Sequence, residues 1–224
     1  MKKVIVLVTL LISFSGISQE AIQKTVGEFS KLKVYDLIKV ELIKSDENKV
    51  VINGDKSEEV VIVNKNGTLK IRMNIESSYD GSKTSVKLYY TTVDIIDVNE
   101  GASVQSSETI KQFEIELNAQ EGGMIHIPVD ATYVSAKAVT GGVIETKGQS
   151  KNQKISLLTG GVYKGEELVT ENTDVSINAA GKAYVNATKL VDVKVRAGGD
   201  VYIYGNPETV NESNVLGGRV ERVK

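Results

Sequence analysis

The chain holds one histidine, His126, and neither cysteine nor tryptophan. A Ser-His-Asp device needs that histidine as its base. The residues at the same repeat offset beside it, Gln105 and Glu145, supply no nucleophile. Without cysteine there is no thiolate for attack or for zinc, no disulfide, and no lipidated cysteine to make the chain a lipoprotein. Polysaccharide hydrolysis needs two carboxyl groups about 5–9 Å apart, and a calcium-assisted lyase needs an acidic cluster beside a basic side chain. Among the 29 Asp and Glu residues, the candidate pair is Asp174 and Asp192, which share an offset on adjacent repeats. Stacked strands would bring that pair to about 5 Å. Such a pair either holds a cation or sits solvated near a corner, and nothing around it builds a cation site. The four arginines, Arg72, Arg196, Arg219 and Arg222, form no substrate clamp. No catalytic residue, metal ligand or cofactor contact is assigned.

A second set of side chains suits binding rather than turnover. Gln105, His126, Glu145, Lys164, Tyr184, Tyr202 and Glu221 recur at one offset and would form a column on an outer face. Glu145 and Lys164 would pair across neighbouring strands. Tyr184 and Tyr202 would lie side by side, with Tyr204 two residues further along the same face. Tyrosine offers an apolar body and a hydroxyl tip, which suits contact with a sugar or a protein. A cross-strand aromatic ladder that only supports the sheet is the plainer alternative. Tyr184, Tyr202 and Tyr204 are the candidate binding surface.

The elements that position this column come from a repeat. A small residue preceded by another recurs every 18 to 21 positions, the second members being Ala102, Gly123, Gly142, Gly161, Gly181, Gly199 and Gly218. Six residues before each mark stand Ile96, Leu117, Ala136, Ile155, Val175 and Val193; four before it stand Val98, Ala119, Ala138, Leu157, Ile177 and Val195. The residues between them, Asp97, Asn118, Lys137, Ser156, Ser176 and Lys194, are polar. That alternation is a strand with one face inward. After the mark it restarts, with Val104, Ile125, Ile144, Tyr163, Ala183, Val201 and Val220 two residues on. Four residues on, the column is mixed (Ser106, Ile127, Thr146, Gly165, Val185, Ile203, Arg222) and is expected to fray toward a corner. Glycine at the bend permits unusual backbone angles and close stacking, and no helix pattern follows for a phosphate to rest on. A strand-like repeat of about 19 residues predicts a solenoid that coils once per repeat. In the seventh unit the inward places hold Glu212 and Asn214, as suits an exposed end.

Residues 25–95 are strand-like but lack the small pair. Alternating Leu32, Val34, Ile38, Val40 and Leu42 begin an irregular β region at the N-terminal side, which runs into the coil without a linker. Lys2 and Lys3, an apolar run from Val4 to Phe14 and Gly16-Ile17-Ser18 read as a secretory signal peptide over 1–18. The run is too short for the roughly 20 residues of a membrane span, so no transmembrane anchor is expected after cleavage. Removing the two lysines leaves 25 basic against 29 acidic residues, a balance of −4 that argues against a nucleic-acid partner. Residues 19–224 are expected to fold as one aliphatic, strand-built domain, with rungs over 96–224.

Taken in order, several segments resemble one bacterial family, the auto-transporter adhesins defined by their head GIN domain. They are Phe29; Ile38 to Leu42; Val50-Val51-Ile52-Asn53-Gly54-Asp55; Asn66-Gly67-Thr68-Leu69-Lys70-Ile71; Asn99-Glu100-Gly101-Ala102-Ser103; and Ile203-Tyr204-Gly205-Asn206-Pro207-Glu208 with Gly217-Gly218. The resemblance implies an all-β, right-handed parallel β-helix-like solenoid in an exported envelope or surface protein, and no reaction. The function expected is non-enzymatic binding in the periplasm, on the outer surface or outside the cell. The partner would be a glycan, an envelope or surface protein, or a second copy of the chain. A carbohydrate-active enzyme and a purely structural envelope component are the alternatives.

Overall fold

The structure is a computed structural model and describes residues 21–223. The signal peptide read at 1–18 lies outside the described residues. Strands and turns dominate, with only two short 3₁₀ turns and no α-helix among the described residues. Long bent strands, Met124–Val139, Val143–Leu158, Gly161–Ile177 and Gly181–Ala197, each make most of one turn of a coil, and successive turns pair in parallel. This is the expected β-solenoid.

At the corners ending in Gly123, Gly142 and Gly161 the two small residues serve different purposes. In the turn at 139–142, Thr140 and Gly141 both have positive φ (49° and 72°), and the Gly142 amide donates to the Val139 carbonyl at 3.0 Å. Two left-handed residues in succession make a type I′ turn, and glycine meets that demand without strain. Gly142 itself is not left-handed. Its role is contact: a Cβ there would lie 2.2 Å from the Ala119 carbonyl oxygen of the preceding rung. The same arrangement recurs at Glu121-Gly122-Gly123 and Thr159-Gly160-Gly161.

Inside, the columns six and four residues before the mark are buried from Ile96 to Val195, and Ile155, Leu157, Ile177 and Val201 are completely so. Full burial of such a side chain contributes about 1.5–3 kcal/mol. One supposedly outward residue departs from the pattern. Asp97 is only 5 % exposed, because Lys33 of the adjacent strand places its ammonium 2.9 Å away and the Asn99 amide donates to it at 3.0 Å. Hydrogen bonding to Asp97 and the nearby negative charge raise the Lys33 pKa against the opposing effect of burial.

The mixed column does not fray as expected. Ser106, Thr146, Gly165, Val185 and Ile203 all face inward and are buried. Its polar members are kept because each has a hydrogen-bond partner: the Ser106 hydroxyl donates to the Glu108 carbonyl at 2.8 Å, and Thr146 belongs to a buried polar group around Tyr163. The fully buried Tyr163 hydroxyl contacts Thr146 and receives the Gln153 side-chain amide. The Gln153 carbonyl oxygen accepts from Thr173, whose hydroxyl lies 2.8 Å from that of Thr170. Burial pushes the Tyr163 pKa up. Gly165 leaves the space this ring needs, since a Cβ there would fall 2.4 Å from its Cε1.

The N-terminal β region is irregular in chain order. Strands Lys31–Val34 and Lys39–Lys44 lie in parallel register with Ile95–Val98 and Ser103–Ser106, matching Leu32 to Ile96 and Val40 to Val104. Their other edges carry Thr68–Met73 and Thr84–Tyr90. The first coiled rung, 31–44, therefore lies inside the stack; the chain builds outward from it to one end and then returns past it. At that end Ile22–Thr25, Lys49–Gly54 and Val60–Lys65 pair antiparallel and cover the coil. The corner between the two early strands uses Asp36 and Leu37 (φ 59° and 63°), without glycine. The buried Asp36 carboxylate accepts the amides of Met73 and Tyr79, each at 3.0 Å, and ties this turn to the strand and loop beside it.

Candidate interaction surface

The outward column occupies the face that follows the glycine corner. Register pairs run Gln105 to His126, His126 to Glu145, Glu145 to Lys164, Lys164 to Tyr184, Tyr184 to Tyr202 and Tyr202 to Glu221. The column also extends beyond its sequence-read start, through Glu41 and Lys87. Alternation puts these side chains outside because their neighbours, such as Ile144 and Tyr163, fill the core.

Charge and aromatic character divide the column. Glu145 bridges its neighbours, with His126 Nδ1 at 3.0 Å from one carboxylate oxygen and Lys164 Nζ at 3.5 Å from the other. Together with Lys147, Glu166 and Glu167 they line a depression of about 170 Å³, formed where the register shifts between Glu145 and Lys147. All three paired side chains are close to half exposed, so the pairing fixes geometry more than it adds stability.

Tyr184 and Tyr202 stack with centroids 4.9 Å apart and planes 11° from parallel. The Arg219 guanidinium lies 5.9 Å from the Tyr202 ring centre. The ring faces are thus turned along the coil axis toward each other, and the surface is offered ring edges and hydroxyls. Both tyrosines are half-buried, as is Tyr204, which pairs in register with Asn186 one column away. Asp174 and Asp192 are register neighbours on a different, open face, where Asp192 accepts from the Asn211 amide at 2.7 Å. No group of three or more His, Cys, Asp or Glu side chains suited to a metal ion occurs among the described residues.

Sequence reasoning missed a second aromatic group on the third side of the coil. Phe113 and Tyr133 meet edge to face, with centroids 5.4 Å apart, and both are exposed. The signal was present at nine residues before the small-residue mark, where Tyr133, Asn152, Asn172 and Leu190 share an offset and pair in register. Phe113 lies ten residues before its mark, one position away from the Tyr133 offset, and is left out of the pairing between Gln112 and Glu114, so a shared offset does not bring the two rings together.

A parallel β-solenoid with a filled interior and ladders of side chains on flat outer faces is the class of protein defined by these features. The chain belongs to the family described as "Putative auto-transporter adhesin, head GIN domain", whose model matches residues 28–207. Among solved structures it is similar to a putative adhesin from Bacteroides fragilis NCTC 9343, with 16% identity, a TM-score of 0.83, and coverage of 92% of this chain and 98% of that one. It is also similar to a putative adhesin from Parabacteroides distasonis ATCC 8503, with 20% identity, a TM-score of 0.74, and coverage of 91% and 96%. A third, called a putative lipid binding protein and from the same Parabacteroides strain, has 17% identity, a TM-score of 0.66, and coverage of 92% and 98%. At these identities the likeness carries the fold alone. No match is found among curated proteins.

Proposed function

We propose that this protein is an exported, non-enzymatic, adhesin-like binding protein of the cell envelope, acting in the periplasm or at the outer surface. The family description and the names of the two adhesin relatives support the adhesin-like part. The signal peptide read at 1–18 supports export. The observation that carries the reading is the outward ladder of Glu145, Lys164, Tyr184 and Tyr202. Its groups are held in register by the coil and present hydroxyls and paired charges along one outer face, with only a shallow depression at the charged end. Flat, rigid faces with tyrosine suit a macromolecular partner, an envelope or surface protein.

The test is binding of the purified chain to outer-membrane and surface protein fractions, compared with Tyr184→Ser/Tyr202→Ser. The double variant is expected to keep its melting temperature and to bind about 5- to 150-fold more weakly, as loss of anchors worth roughly 1–3 kcal/mol requires. Unchanged binding at unchanged stability removes the ladder from the site. Polysaccharide turnover by the wild type, lost in Asp174→Asn or Asp192→Asn, overturns the non-enzymatic reading.

A further inference from the structure

We infer a second, separate binding site on the third side of the coil, built by Phe113, Tyr133, Asn152 and Asn172 for an extended neutral glycan. Phe113 is 68% exposed and Tyr133 44%, two aromatic rings in contact with each other and open to water on one outer face. Their planes cross at 60°. An edge-to-face pair leaves ring face open, unlike the stacked Tyr184 and Tyr202, whose faces cover each other. Open ring face is what the C–H side of a pyranose packs against.

The next two rungs supply polar partners in line with Tyr133. Tyr133 pairs in register with Asn152, and Asn152 with Asn172. Asn172 Nδ2 donates to Asn152 Oδ1 at 3.1 Å. This bond fixes both amides and leaves the Asn152 NH₂ as a donor and the Asn172 carbonyl oxygen as an acceptor, neither with another side-chain partner among the described residues. A fixed donor and a fixed acceptor one rung apart match sugar hydroxyls, each of which both donates and accepts. Rungs stack at about 4.8 Å, a spacing close to that of successive pyranose rings in an extended chain. Successive sugars could therefore meet the aromatic pair and then each asparagine in turn.

Charge favours a neutral chain. In the column alongside, which holds Phe113, Lys189 is paired with Glu171 at 2.7 Å and Lys151 is exposed, while Glu114, the register partner of Tyr133, carries the opposite sign. There is no one-sign field for a polyanion. The site uses no residue of the tyrosine ladder and does not depend on what that ladder binds.

The test is an array of linear neutral hexasaccharides of β-glucan, xylan and mannan type, with heparin and hyaluronan hexasaccharides as charged probes, read with the full chain. At least one neutral hexasaccharide is expected to bind. Affinity is expected to rise from disaccharide to tetrasaccharide as further rungs are engaged. Phe113→Ala/Tyr133→Ala should weaken binding tenfold or more, Asn152→Leu less, and Tyr184→Ser/Tyr202→Ser not at all. Exposed positions should leave the circular dichroism of these variants unchanged. Should the aromatic double variant misfold, Asn152→Leu with the length dependence decides. Binding of only the charged probes, binding of none, no length dependence, or retention in the folded aromatic variant overturns the proposal. Capture of a protein in place of a glycan by this face overturns it too.

Discussion

The two glycines of one corner should differ sharply in what alanine does to them. At Gly141, φ is +72° and no atom lies within 4 Å of a built Cβ, so Gly141→Ala meets only the left-handed penalty. That penalty is about 1–2 kcal/mol, offset in part by the lower entropy of the unfolded alanine chain, about 0.4–1 kcal/mol. A net cost near 1 kcal/mol follows. At Gly142 the Cβ would stand 2.2 Å from the oxygen and 2.5 Å from the carbon of the Ala119 carbonyl. Backbone cannot swing aside as a side chain does, so the rungs must separate. The bonds at risk are Val143 N to Gly123 O and Val162 N to Gly142 O, each 2.9 Å. Overpacking costs about 1–3 kcal/mol and one unsatisfied backbone group about 1–3 kcal/mol, which together put Gly142→Ala at about 2–6 kcal/mol before the same entropy offset. Urea unfolding followed by far-ultraviolet circular dichroism measures both, with the slopes compared to check that the same structure is lost. Equal costs, or a larger cost at Gly141, would refute the division of roles at the corner.

Two further substitutions probe the interior and its buried charge. Leu157→Ala empties a fully buried position between rungs and should cost about 2–5 kcal/mol in the same assay; a cost below 1 kcal/mol would mean that the coil collapses around the gap. Asp97→Asn should cost about 1.5 kcal/mol at neutral pH, the lower end for a charge-assisted bond, since the Lys33 side chain keeps 26% exposure. Because the folded Lys33 pKa is raised above 10.5, this contribution is whole below that pH and is lost as pH climbs through the folded value. Wild type and Asp97→Asn should therefore converge in stability at strongly alkaline pH, and a gap that instead widens there would contradict the pairing.

The corners were legible because glycine is the residue such turns demand, and the inward columns because apolar alternation survives in nearly every rung. The turn at Asp36 and Leu37 was not legible. It reaches the same backbone angles with ordinary residues, held by a carboxylate whose partners, Met73 and Tyr79, are far away in sequence. The buried polar column was misread for a related reason: Thr146 and Gly165 look like corner residues until Tyr163 and Gln153 are set beside them. For the outward column, spacing brought Tyr184 and Tyr202 side by side, but it carries no information on ring orientation. Phe113 and Tyr133 escaped because they stand one position apart in repeat offset.

The out-of-order start of the coil bears on how the chain acquires its shape. From Ile110 onward each strand pairs with one made a single repeat earlier, so those contacts close loops of nearly constant, modest length. The rung at 31–44 is different: one edge waits for residues 68–90 and the other for 95–106. Until roughly the first hundred residues are available, that rung has no neighbours and the antiparallel cover has nothing to close on. Long-range closure of this kind is slow, whereas adding a rung to a formed template is local and fast. The N-terminal part thus acts as the seed and sets the folding time. The repeats beyond it grow by templated addition, so their number can change between relatives without altering the step that limits folding.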